Sequence, residues 1–445
     1  MSNVASSSSS EKAFKVEAPD ADLELLRKKL ALVRFPDELD GAGWDYGAPL
    51  ADVQRLTEHW QSAFDWRKAE AEINTLPMFT RDIEVEGFGT LNVHYVHQPS
   101  AVANAIPLLF VHGWPGHFLE VRKLLPLLTA GGEDHPSFHV VAPSLPGFGF
   151  SEAPKSPGFK GRQYAELLNK LMLSLGYNEY VYQGGDWGYT LGMHTVFHYG
   201  NKHVKAWHTN MPVPSPPTFT QYPLLYIRSM ASLMFDKAAQ NNLQAMVRVF
   251  NSGMGYMRQQ STRPQTLGYG LSDSPVGLLG WIYEKLVAWT DKYPWTDDEG
   301  MQYFCLLSFP WPVAIIFLKA EPDGAAPGTA VIEWVSIYYF SRGGPAASTR
   351  IYYEMSNGGH LEEIGRSPGW TAVPLGVSHF PAEVMRFPKS WTNTIGRLVF
   401  ESEHDKGGHF AAFEVPEKLA GDLRRMYGRG GPAHGVVPGK NGYDI

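Results

Sequence analysis

The run Tyr180-Val181-Tyr182-Gln183-Gly184-Gly185-Asp186-Trp187-Gly188 ends an apolar, β-prone segment in Gly-x-Asp-x-Gly, and a helix-compatible segment follows. A strand that turns sharply into a helix lifts the side chain at the turn clear of the sheet, and flanking glycines leave room for the bend. The lifted residue here is Asp186. A carboxylate is ionised at neutral pH and attacks carbon without a base to activate it. The start of a helix beneath it favours the charged form. The same residues also fit a plain strand-turn-helix in which Asp186 is an ordinary cap, because Asp is a favoured N-cap.

A second candidate is His409, in Gly407-Gly408-His409-Phe410, after the last predicted strand and before the final helix. A glycine-flanked loop is expected to leave it exposed and mobile enough to act as a base. The chain order nucleophile, acid, histidine calls for a carboxylate in between to set the imidazole's tautomer and stabilise its cation. Glu383, just after a predicted strand, is the candidate. Glu401, Glu403 and Asp405 sit on or beside the histidine's own strand and loop and read as solvated charges. His112-Gly113-Trp114-Pro115 also follows a strand. The backbone N–H groups of Trp114 and Trp187 can together face a developing oxyanion. Pro115 bends the chain there; His112 either braces the loop by hydrogen bonding or, with Pro115, borders the substrate.

Composition narrows the class. The 38 basic and 45 acidic residues leave a net charge of −7, so there is no basic field for nucleic acid. Cys305 is the only cysteine, which excludes an intrachain disulfide and an all-cysteine metal site; in its apolar run it reads as a buried thiol. Met1 to Lys12 is serine-rich without an apolar centre, neither signal peptide nor anchor, and no run of eighteen apolar residues occurs. These features suggest a cytoplasmic enzyme. A homodimer is compatible with the chain.

The elements that must position these residues follow in order. Residues 1–13 are expected to be a disordered tail. Residues 14–78 form a helical extension, with one helix marked by Leu23, Leu26, Leu30 and Val33 between an Asp20 cap and a Pro36 stop. A second runs from Asp52 to Ile73 on Val53, Leu56, Trp60 and Phe64. Residues 79–211 begin the core with a hairpin (Phe79–Val85, Leu91–His97). Strands at Ile106–Val111, Phe138–Ala142 and Val204–Thr209 follow, and the helix bearing Tyr164, Leu167, Leu168, Leu171 and Leu175 ends at Gly176. Four prolines within 212–217 mark a change of composition, and 212–355 reads as an inserted helical lid. Residues 356–427 resume the core with strands Ala372–Val377 and Arg397–Glu401 and a helix Glu417–Met426; 428–445 is an extended tail. Strands alternating with helices predict an α/β fold with a mostly parallel, doubly wound sheet.

Five motifs then converge: His-Gly-Trp-Pro-Gly (112–116), Pro-Gly-Phe-Gly-Phe-Ser-Glu (146–152), Gly-Gly-Asp-Trp-Gly (184–188), Asp-Ser-Pro-Val-Gly-Leu (273–278) and Gly-Gly-His-Phe-Ala-Ala-Phe-Glu (407–414). Over about residues 14–427 the chain resembles the microsomal-type epoxide hydrolase family. The resemblance implies an α/β-hydrolase fold and a two-step hydrolysis of small apolar epoxides by water to vicinal diols, without metal or cofactor. It implies Asp186 as nucleophile, His409 as base, Glu383 as its acid partner, and Tyr256 and Tyr352 as phenols holding the epoxide oxygen, with Tyr353 competing for the second place. Two features depart from the family: the membrane anchor of the animal enzymes is absent, and His117 stands at the expected pocket rim where a small residue is usual. Haloalkane dehalogenases share the Asp nucleophile and histidine and hold halide on indole or amide N–H groups, which Trp114 and Trp187 also offer. A non-catalytic receptor on the same fold is the third reading. Within an epoxide hydrolase, detoxification and biosynthesis are both compatible roles.

Overall fold

The computed structural model describes residues 11–293, 295, 329–364 and 367–444. Among these, nine strands make one sheet: β1 (Lys12–Ala13), β2 (Met78–Val85), β3 (Gly89–Gln98), β4 (Ile106–Val111), β5 (Phe138–Pro143), β6 (Tyr180–Gly184), β7 (Val204–Thr209), β8 (Pro374–His379) and β9 (Arg397–Glu403). Their order is β1-β2-β3-β5-β4-β6-β7-β8-β9. Neighbours from β5 to β9 run parallel, and β1, β2 and β3 add an antiparallel edge.

The central parallel strands are largely buried because helices cover both faces. All six residues of β4 are buried. They alternate between two cores: Leu109 and Val111 join Tyr182 and Trp207 on one face, while Leu108 and Phe110 join Val140 and Val181 on the other. The period of two is that of the pleat. Helices Gly161–Ser174 and Trp187–Tyr199 pack into the first core through Leu167, Leu171, Leu191 and Val196. Helices Leu124–Thr129 and Pro416–Tyr427 fill the second through Leu124, Leu128, Leu419 and Leu423. This is an α/β-hydrolase fold, mostly parallel as expected.

Among the described residues between Thr209 and Pro374 there is no strand, and most of the regular structure is helical. The N-terminal helices clasp this lid. Trp60 meets Tyr339 edge to face with ring centroids 6.2 Å apart. His59 Nε2 lies 2.8 Å from Thr329 Oγ1, and Lys29 reaches Asp273 at 2.8 Å. The extension therefore packs on the lid as well as on the core.

Several boundaries differ from the sequence reading. The stretch 52–73 is two helices, Leu50–Ser62 and Trp66–Ile73. Asp65 starts the second by accepting from the Arg67 and Lys68 amides at 2.9 and 3.3 Å, a cap that contributes about 1 kcal/mol. The first helix is Asp20–Ala31, capped at Pro19 without a side-chain bond, so Asp20 is inside it. The tail is not loose up to residue 13: β1 pairs with β2, and Glu11 accepts from the Tyr95 hydroxyl at 2.8 Å. Nor is 428–444 free. Gly442 O accepts from Ser137 N and its N–H donates to Asn104 O, both at 2.7 Å, while Val437 and Tyr443 are buried. Glycine-rich composition disguised a segment laid across the starts of β4 and β5. Cys305 lies outside the described residues. Among those residues, no helix is long and apolar enough to cross a membrane.

Candidate active site

The turn after β6 carries Asp186 at φ 52° and ψ −125°. For a residue with a Cβ this conformation costs about 1–3 kcal/mol and persists only where the surroundings impose it. Two glycines let those surroundings close in. A Cβ on Gly188 would stand 2.1 Å from the Val111 carbonyl oxygen, and one on Gly113 would stand 2.3 Å from Asp186 Cβ and Oδ1. The loop after β4 is thereby pressed against the elbow. Asp186 Oδ1 accepts from Trp187 N at 2.7 Å and Trp114 N at 2.8 Å. The first of these bonds is also the cap of helix Trp187–Tyr199, so the capping and elbow readings describe one residue.

The other oxygen, Asp186 Oδ2, lies 3.5 Å from His409 Nε2, and His409 Nδ1 lies 2.7 Å from Glu383 Oε1. Glu383 is held there by a bridge between Ala382 and Gly408, with Ala382 N donating to Gly407 O at 3.1 Å. The carboxylates nearer in sequence point elsewhere: Glu401 pairs with His379 at 2.8 Å, Asp405 with Lys418 at 2.6 Å, and Glu403 with Lys389. Burial works against the His409 cation. The Glu383 carboxylate, together with Asp186, outweighs it and holds the imidazole well above its ordinary pKa.

His409 is neither exposed nor loose. It is 7% exposed, its N–H donates to Trp289 O at 2.9 Å, and Gly407 N donates to Asp291 Oδ2 at 3.0 Å. The glycines serve close approach, since a Cβ on Gly408 would meet the Trp289 carbonyl oxygen at 2.6 Å.

From the lid, Tyr256 and Tyr352 arrive side by side with ring centroids 5.9 Å apart. Tyr352 stands edge-on to Trp187 (4.8 Å) and Trp114 (5.8 Å), and Tyr256 stacks on Trp114. Burial pushes both phenols above their ordinary pKa, and the charge of Asp186 adds to it, so both stay protonated and able to donate. Tyr353 is 40% exposed and faces away from this cluster.

These groups border a cavity of about 760 Å³ lined by Asp186, Trp187, Tyr256, Trp289, Tyr352 and His409, and closed by mostly apolar side chains including those of the proline-rich segment. Its size suits a small apolar ligand. His112 and Pro115, expected as possible substrate contacts, are not on its wall. His112 is buried; its Nδ1–H donates to Gly113 O at 2.9 Å and its Nε2 accepts from Leu145 N at 3.2 Å. Burial lowers its pKa to about 4, so it is a neutral brace. Pro115 follows a cis peptide bond, and its carbonyl accepts from Trp334 Nε1 at 2.6 Å. His117 is not at the rim either. It is fully buried against Trp334 and accepts from Leu119 N at 3.2 Å.

Trp289, 5.0 Å from the His409 ring and 5.2 Å from that of Tyr256, was not foreseen. Nothing in its spacing separates it from packing tryptophans. Glu120 and Asn210 were missed too, though a lone acid in the apolar run Phe118-Leu119-Glu120-Val121 was a signal. As a whole the arrangement offers a carboxylate, a paired imidazole, two amide donors and two phenols around one apolar space.

The sequence family described as Epoxide hydrolase N terminus matches residues 11–121, and that described as alpha/beta hydrolase fold matches residues 106–252. A putative epoxide hydrolase of Stigmatella aurantiaca is 36% identical over 93% of this chain and 84% of its own. Epoxide hydrolase 1 of Sus scrofa is 33% identical over 93% and 88%. The structure of Aspergillus niger epoxide hydrolase superposes with a TM-score of 0.71 at 31% identity, covering 94% of this chain and 96% of that one. With relatives this similar along nearly its whole length, the chain belongs to the epoxide hydrolase family.

Proposed function

We propose that this protein hydrolyses small apolar epoxides to vicinal diols through an ester on Asp186. The observation that carries the mechanism is the division of labour on that carboxylate: Oδ1 is held by two amides, while Oδ2 faces His409 on the wall of the apolar cavity. Ring strain makes an epoxide carbon electrophilic, but the leaving alkoxide needs stabilisation. Asp186 Oδ2 attacks the carbon, the ring C–O bond breaks, and the oxygen takes a proton from Tyr256 or Tyr352. Water then attacks Cγ of the ester and gives its proton to His409 Nε2, whose cation Glu383 stabilises. The amides of Trp114 and Trp187 hold the oxyanion on Oδ1. Collapse releases the diol, with His409 returning its proton to the leaving oxygen, and the proton left on the regenerated Asp186 carboxyl passes to the phenolate, which restores both groups.

Mass spectrometry of His409→Gln mixed with an aryl epoxide tests this. The expected product is enzyme heavier by one epoxide, with the adduct on the peptide containing Asp186, and a weaker accumulation in Glu383→Gln. No adduct in His409→Gln, despite measured substrate binding, refutes His409 as the base of the second step. The halide reading has one supporting feature, the buried Trp187 indole on the cavity wall. Paired phenols and the family favour the epoxide, and halide release from a chloroalkane is the comparison assay. A cytoplasmic location belongs to the same proposal and is tested by fractionation. A homodimer does too, and sedimentation tests it.

A further inference from the structure

Asp186 and His409 border a second, much smaller space. It has a volume of about 10 Å³ and is lined by core residues alone, among them Gly113, Glu120, Asp186, Asn210 and His409. That is room for one water, and a buried water needs two to four polar partners. Imidazole, carboxyl and amide groups around the space meet the requirement. Glu120 is the residue whose presence the chemistry above does not explain. It lies on the short helical turn Phe118–Val121 directly after the Trp114 loop and is buried. Its Oε1 is packed so tightly on Gly116 that a Cβ there would stand 1.7 Å away.

We propose that the carboxyl of Glu120 positions the water that hydrolyses the Asp186 ester. The inference rests on the covalent reading above. One hydrogen of the water points to His409 Nε2 and the other to the Glu120 carbonyl oxygen, which leaves a lone pair directed at Cγ of Asp186. When the new C–O bond forms, the proton passes to His409 alone, because a neutral carboxyl accepts a hydrogen bond but is too weak a base to take the proton. Burial agrees with this. It pushes Glu120 up to about 8; Asp186 adds to the rise, while His409 and the Gly113 and His117 amides oppose it. An ionised Glu120 would be a second carboxylate beside Asp186 and a rival base to His409. Gly116 has its own part, since only a residue without Cβ leaves the carboxyl in place.

Single-turnover kinetics with styrene oxide separate the two steps, with ester followed by quenching and intact-protein mass spectrometry. Glu120→Met is expected to form ester within about threefold of the wild-type rate and to hydrolyse it 30- to 300-fold more slowly. Glu120→Gln, which keeps a donor and an acceptor, is expected to restore hydrolysis to within about fivefold. Gly116→Ala, which displaces the carboxyl without replacing it, is expected to share the hydrolysis defect and serves if Glu120→Met does not fold. Ester hydrolysed at the wild-type rate in Glu120→Met or Gly116→Ala overturns the proposal, as does Glu120→Gln as slow as Glu120→Met. Failure of the wild type to form any ester within the first turnover would instead overturn the covalent reading, and this inference with it.

Discussion

The indole of Trp114 lies flat against the phenol ring of Tyr256, centroids 5.3 Å apart and planes 9° apart. The amide of the same tryptophan donates to Asp186 Oδ1 at 2.8 Å. One residue of the core thus touches both the carboxylate and the lid, and the position of the lid phenol is tied to that of the oxyanion donor. The Lys285 ammonium also sits 4.7 Å from the Tyr256 ring centroid. A ring held by these contacts loses little freedom when its hydroxyl meets a substrate oxygen.

The phenols are expected to act as a pair. Tyr256→Phe and Tyr352→Phe each slow ester formation by about 10- to 100-fold, and the double variant nearly abolishes it, since one donor partly covers for the other. Tyr353→Phe leaves the rate unchanged because that ring is 40% exposed and away from the cluster. Stopped-flow measurement of ester formation decides it; a damaging Tyr353→Phe with a silent Tyr352→Phe would shift the assignment by one residue.

Oxygen tracing reads the bond that forms first. In heavy-oxygen water under single-turnover conditions, the first diol is expected to carry an unlabelled oxygen from Asp186, and the label enters the enzyme carboxylate. Label wholly in that first diol would refute an ester intermediate.

Gly113→Ala is expected to cut ester formation at least 100-fold while the protein stays folded. The new Cβ falls 2.3 Å from Asp186 Cβ and Oδ1, so either the carboxylate or the Trp114 amide must move. Circular dichroism and the ester mass provide the two readouts. Normal ester formation in this variant would mean the loop can yield without cost.

The pH dependence of the second step has a definite sign. In the resting enzyme Glu383 and Asp186 both raise the pKa of His409 against the effect of burial. Esterification removes the charge on Asp186 and with it part of that rise, so the imidazole becomes a better-populated base when it is needed. Ester hydrolysis is expected to increase with pH to a plateau, with a midpoint below that of the His409 imidazole titrated by NMR in the free enzyme. Asp186→Asn is expected to lower the NMR midpoint as well. Equal midpoints would remove Asp186 from the account.

The sequence by itself determined the elements whose signal is local. The parallel strands were legible because burial on both faces demands unbroken apolar runs such as Ile106–Val111. The elbow was legible because few residues other than glycine fit beside Asp186, and the lid because four prolines break the strand-helix alternation at 212–217. The placing of Glu383, Tyr256 and Tyr352 leaned on the family resemblance, since spacing alone does not separate them from other acids and tyrosines. Tertiary structure decided whatever depends on residues far apart in the chain. It set which tyrosine of the pair 352–353 turns inward, and it made His112 and His117 buried braces where the sequence allowed pocket contacts. It also held His409 rigidly through lid contacts at Trp289 and Asp291, although its glycines suggested mobility. Residues 11–13 and the glycine-rich segment 428–444 were misjudged for the same reason. Local composition measures how little a segment can bury alone, whereas β1 and Tyr443 are ordered by surfaces that distant parts of the chain build.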